Sequence, residues 1–243
     1  MNRFFDADSP NVFTAYSLTH MIALAVFVAA VVLLYISRHW LRQGRRSRYG
    51  RYALAALLIA SEVSLNAWYV AENVYDVKYT LPLELCSLSL YLSIAMLFLR
   101  SRFVFQIVYF AGIGGAIQAL LTPVLYYDFP HFVYFEFFAA HIAIILSPLY
   151  MVWMEGFRPT LKSIFVTLGF LNVMLVIVFF VNTATGGNYM FVASKPETAS
   201  LLDFLGPYPW YLLSMEAVAL VIFLLLYWPF AARASATKRK SSG

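Results

Sequence analysis

The chain has 243 residues, 62% of them hydrophobic, 18% aromatic and only 12% charged. Soluble domains carry about 25% charged residues and several apolar runs here reach the ~20 residues that cross a bilayer, so the composition excludes a water-soluble domain and predicts a polytopic membrane protein. The net charge of +5 does not point to nucleic acid, because the basic residues lie in short loops beside the apolar runs, where anionic headgroups are the natural neighbours.

The leader MNRFFDADSP is net acidic, and the run after it is too long for a cleaved signal, so a retained first span is expected over residues 17–37, carrying His20. A basic loop, RHWLRQGRRSRYGR, leads to a second span over 52–72. There Glu62, Asn66, Tyr69 and Asn73 follow the i, i+4, i+7, i+11 spacing of one helix face. The third span, 82–99, opens on LPLELCSLSLYL, with Glu84 two residues after Pro82 and Cys86 two residues later. Cys86 is the single cysteine, so no internal disulfide forms.

The fourth span, 103–121, contains AGIGGAIQALL, whose Gly112, Gly114 and Gly115 allow close helix approach and whose Gln118 is polar. The fifth, 131–153, carries His131, Glu136 and His141; the sixth, 163–183, carries Asn172 and Asn182. A loop over 184–207 mixes glycines with aromatics and reads either as a cover over the bundle's mouth or as a mobile linker. The seventh span, 208–229, carries Ser214 and Glu216, and a basic tail occupies 231–243.

The charges alternate between loops. The loops at 38–51, 100–102 and 154–163, together with the tail, hold 14 of the 17 Lys and Arg; the other side has Arg3, Lys78 and Lys195. Under the positive-inside rule the expectation is an all-α bundle of seven transmembrane helices, one domain over 1–243, with its N-terminus outside and its C-terminus cytoplasmic. No internal repeat divides it into the inverted halves common in transporters.

Carboxylates and imidazoles inside a bilayer cost at least ~2.5 kcal/mol for Asp on insertion scales and face an interior cavity. With the orientation above, most of the polar residues fall in the outer half of the bundle, while the cytoplasmic half is almost purely apolar apart from Gln106. A polar cavity open to the outer leaflet is expected. Its Asn, Gln and Ser residues read as interhelical hydrogen-bond partners. Glu62, Glu84, Glu136 and Glu216 are harder to explain so, since no Lys or Arg lies in the spans.

Cys86 reads either as an apolar filler or as a nucleophile activated by a base. Among the histidines, His141 lies deepest in the polar layer and is the best-placed base; His20 and His131 are nearer the surface and His39 is cytoplasmic. In that scheme Glu84 or Glu136 orients the imidazole and Gln118 supplies an oxyanion donor.

LPLELCSLSLYL, GIGGAIQALLTP, FPHFVYFEFFAAHIAIILSPLYMVW and GGNYMFVASKPETASLLDFLGPYPWY together resemble the YwaF-like bacterial integral membrane family, whose animal relative is transmembrane protein 164. The resemblance runs from about residue 15 to 230. It implies a lipid acyltransferase, or an acyl hydrolase, that moves a fatty acyl chain between glycerophospholipids. Cys86 matches the family's cysteine and His141 its histidine. Glu62, Asn66, Glu84, Gln118, Glu136 and Glu216 are the supporting residues expected. The partner is then a membrane phospholipid or lysophospholipid at the cell membrane, with no cofactor and no metal.

Two other readings compete. A zinc hydrolase would use His20, His131 and His141 with a carboxylate, but no HxxxH or HExxH pair supplies a local ligand frame. A non-catalytic sensor or small-solute transporter would use the outer cavity alone. A retinal protein is disfavoured because the last span has no lysine for a Schiff base.

Overall fold

In the computed structural model, residues 4–9, 11–195 and 201–241 are described, with side chains omitted at 201 and 233–241. The chain runs α1 (Leu18–Ile36), a short α2 (Arg38–Leu41), α3 (Arg45–Ala71), α4 (Leu85–Leu99), α5 (Arg102–Ile107), α6 (Ile113–Leu121), α7 (Phe132–Trp153), α8 (Leu161–Thr185) and α9 (Trp210–Ser241). There is no strand among the described residues. Helices are what a bilayer demands, since only they satisfy every backbone N–H and C=O within one segment.

Six helices are long and apolar enough to cross a membrane: Leu18–Ile36, Arg45–Ala71, Arg102–Leu121, Phe132–Trp153, Leu161–Thr185 and the Trp210–Ala232 part of α9. The third expected span is shorter than anticipated. It is a 15-residue helix, Leu85–Leu99, because the chain through Pro82 and Leu83 turns rather than coils and Glu84 takes the N-cap position. The fourth expected span is continuous, yet a π-helical segment, Val108–Gly112, separates α5 from α6. Such segments occur mostly as single-turn bulges inside α-helices.

α7 is the axis of the fold and packs against α1, α3, α4 and α6; α8 and α9 lie against α5, α6 and each other at the periphery. Close approach of α3 and α7 depends on Gly50, where an added Cβ would collide with Tyr150 Oη. Tyr150 is fully buried and its hydroxyl donates to the Ser47 carbonyl at 2.9 Å. At this end of the bundle, Glu155, just after α7, ties down α3 and the end of α4. Its carboxylate accepts from Ser47 Oγ, lies 3.2 Å from Arg51 Nε, and pairs with Arg100 at 2.5 Å. Arg51 Nε is too far out of line for a hydrogen bond, but its Nη1 donates to Leu97 O at 2.7 Å.

At the other end, residues 4–9 and 11–16 form a strap that the sequence does not announce. Phe132 N–H donates to Phe4 O (2.7 Å), Trp68 Nε1 to Phe5 O (2.7 Å), Tyr127 Oη to Ala7 O (3.0 Å) and Asp128 N–H to Asn11 O (3.0 Å). The strap therefore joins α3, α7 and the loop between α6 and α7. Of the 184–207 loop, residues 196–200 lie outside those described. The rest forms helical turns at Tyr189–Phe191 and Leu201–Leu205.

Candidate active site

Polar side chains in the apolar bundle need partners, and their partners sort them. His20 is spent on structure: its Nδ1 accepts from Tyr16 N–H at 2.9 Å and its Nε2 donates to Leu120 O at 2.8 Å. His131 caps α7 by accepting from Val133 N–H at 3.1 Å, donates to Asp6 O, and stacks on Tyr127 with centroids 4.1 Å apart. His141 differs. Its Nδ1 lies 2.6 Å from Phe137 O, and a carbonyl only accepts, so the proton sits on Nδ1. Nε2 makes no hydrogen bond among the described residues, so in the neutral imidazole its lone pair is open. The backbone of α7 itself, not Glu84 or Glu136, fixes this tautomer.

His141 and Cys86 line one cavity of about 520 Å³, within the range of small-molecule sites. Glu62, Glu136, Tyr69, Trp68 and Ser87 line it too. Cys86 is the second residue of α4, half-buried, and its neighbours in the first turn are not capped by any side chain. The N–H groups of Leu85, Cys86 and Ser87 thus lack intrahelical acceptors and lie at the positive end of the helix dipole.

The four membrane carboxylates, which the sequence leaves without cations, all take neutral donors. Glu136 accepts from Ser61 Oγ at 2.7 Å; Glu62 accepts from Asn66 Nδ2 at 2.8 Å and Tyr91 Oη at 2.7 Å. Glu216 accepts from Asn172 Nδ2 at 2.8 Å. Glu84 accepts from the Met190 N–H at 3.0 Å, and Met190 has φ +55°, so the bond holds a strained turn. Asn73, also at φ +55°, ends α3 in the left-handed conformation instead of extending its polar face.

The expected residues are therefore not all in one place. Cys86, His141, Glu62 and Glu136 face the large cavity, and Asn66 supports Glu62 from beside it. Gln118 and Glu216 line a second, smaller cavity of about 170 Å³ between α6, α8 and α9. Gln118 thus lines a different cavity from Cys86. Among the described residues no group of three His, Cys, Asp or Glu converges as metal ligands would.

Beyond the cavity, towards Glu155, Leu58, Ala55 and Leu97 close the bundle with buried apolar packing. At the opposite end, Trp68 and Tyr127 line the cavity while bonding to the N-terminal strap. Neither was singled out from sequence, since their partners are backbone carbonyls that carry no side-chain signal.

A model of the TMEM164 family matches residues 15–227, from just before α1 into α9. The chain belongs to the TMEM164 family. Among curated proteins and solved structures, none matches it. For this TMEM164-family chain the match takes in every residue of both cavities, and the long apolar helices make it a multi-pass membrane protein.

The loop before α9 completes the surroundings. Tyr189 Oη donates to Val77 O at 2.6 Å and accepts from Leu81 N–H at 2.9 Å, while Asn182 bonds the Tyr189 backbone at both N–H and C=O. Burial pushes the Tyr189 phenol up from its ordinary value, so it stays protonated and able to donate.

Proposed function

We propose that this protein is a membrane-embedded lipid acyltransferase, or acyl hydrolase, that forms an acyl-thioester on Cys86 with His141 as general base. The observation that carries the reading is the shared cavity of Cys86 and His141, with the imidazole held as the Nδ1–H tautomer by Phe137 O. A thiol needs such a base, because the thiolate is the nucleophile. Membership of the TMEM164 family supports the same chemistry.

In the first half-reaction, His141 Nε2 takes the Cys86 proton and Sγ attacks the ester carbonyl of a phospholipid. The tetrahedral oxyanion is met by the open first-turn N–H groups of α4, which take the role the sequence assigned to Gln118. Collapse breaks the ester C–O bond, and the leaving glycerol oxygen takes the proton from His141. In the second half, a lysophospholipid hydroxyl or water gives its proton to His141 and attacks the thioester; the proton then returns to Cys86. Glu62 and Glu136 shape the polar wall of the cavity.

The same reading takes the chain as a single domain with seven crossings, α4 supplying the seventh between the Glu84 end and the Arg100–Glu155 end. In this reading the positive-inside rule takes the Glu155 end, with its basic loops, as cytoplasmic and the N-terminus as outside, with the cavity opening to the outer half of the cell membrane. The test is turnover of a phospholipid labelled in its acyl chain by purified protein in nanodiscs. Transfer or release of label by the wild type, lost in Cys86→Ser and in His141→Phe, is expected; undiminished turnover in either variant would overturn the mechanism.

A further inference from the structure

The smaller cavity of about 170 Å³ is lined mostly by apolar residues of α6, α8 and α9, with Gln118 on its α6 wall, and it is roofed by Met190, Val192, Leu202 and Leu205. An apolar cavity of about 150 Å³ stays dry and takes hydrocarbon, so this one is of the right size and chemistry for a stretch of alkyl chain. Gly114 and Gly115 leave the room: a Cβ at Gly115 would come 3.0 Å from Leu85 Cδ2. Leu85 thus forms the wall of the smaller cavity, while its neighbour Cys86 lines the larger.

Besides Gln118, its polar feature sits on the outer surface. Asn172, midway along α8, and Glu216, in the second turn of α9, are both exposed and bonded to each other at 2.8 Å. A polar pair facing lipid is expensive unless it meets a polar group there. Glu84 holds the Met190 roof by a hydrogen bond to the start of α4, where Leu85, the wall, and Cys86 follow in the first turn.

We propose that the smaller cavity binds one hydrocarbon chain of a membrane phospholipid, which enters sideways between α8 and α9. The Asn172–Glu216 pair marks the mouth on the lipid-facing side, and Leu85 separates the chain from the Cys86 chamber. The proposal rests on the reading of this protein as a lipid acyltransferase, but its test needs no turnover.

The full-length protein is placed in nanodiscs containing phosphatidylcholine with a diazirine in one acyl chain, irradiated, and mapped by peptide mass spectrometry. Labels on Leu171, Met215 and Ala219 are expected to exceed those on exposed Val176 and Phe180 of α8 by about tenfold. Ala219→Trp and Leu171→Trp, which fill the cavity, should abolish that excess and leave labelling of the exposed residues. Cys86→Ala should leave both unchanged. Cavity labelling no higher than that of the exposed residues overturns the proposal, as does an excess that survives both tryptophan variants. Labelling by a diazirine free fatty acid but not by the phospholipid also overturns it. Because wild-type labelling alone is decisive, a variant that fails to fold does not rescue it. Loss of turnover with labelling intact counts against the acyl-thioester mechanism only.

Discussion

Glu84 accepts a hydrogen bond from the Met190 N–H at 3.0 Å, joining the first turn of α4 to the loop before α9. The two residues are 106 positions apart. A carboxylate two residues before a candidate nucleophile invites a catalytic role, but its bond is to a strained backbone turn. Its distance from chemistry is testable. Glu84→Ala leaves the Met190 N–H unpaired and should cost about 1–3 kcal/mol, whereas Glu84→Gln keeps an acceptor oxygen and should cost less. Thermal unfolding in detergent, with hydrogen exchange at Met190, checks this. Equal loss in both variants would mean that the charge matters.

Glu155 makes a second prediction. It is buried and holds Ser47, Arg51 and Arg100, so Glu155→Ala leaves the buried Arg51 without its counter-charge. Breaking a buried ion pair costs about 3–5 kcal/mol; the half-exposed Arg100 places this site toward the lower figure. Loss of melting temperature without loss of turnover per folded molecule is expected.

Gly50 packs where a side chain would meet Tyr150. Gly50→Val should therefore separate α3 from α7 and destabilise by about 1–3 kcal/mol, the usual penalty of overpacking. The double variant with Tyr150→Phe, which removes the obstructing hydroxyl, should recover part of it in the same melting assay.

His131 reads from sequence as a possible ligand or base, and the structure gives it the N-cap of α7. His131→Asn, a good cap, should be tolerated, while His131→Ala should cost about 1 kcal/mol. If His131→Asn abolishes lipid turnover with folding intact, the histidine has a chemical role after all.

The apolar runs were legible because bilayer thickness constrains length and composition together. Cys86, His141, Glu62 and Glu136 stood out because polarity in lipid is costly, and they do share a cavity. The cost says that a residue needs a partner, not which one. Hence Gln118 and Glu216, at similar depth, were grouped with Cys86 although α4's first turn divides them from it. The sequence places the start of α4 three residues early because Pro82 is permitted in a first helical turn, whereas the chain still turns through Leu83 and Glu84 is the N-cap. The N-terminal strap leaves no mark in the sequence, since Phe4, Phe5 and Ala7 bond through backbone carbonyls.

The central claim is a covalent intermediate, and intact-protein mass spectrometry observes it directly. After brief incubation with phospholipid, the wild type should gain the mass of one acyl chain, mapped to Cys86 and removed by neutral hydroxylamine. Cys86→Ser should gain no hydroxylamine-labile mass, and His141→Phe should gain it far more slowly. Turnover by wild type with no adduct on Cys86 under rapid quench, and continued turnover in Cys86→Ser, would contradict the account.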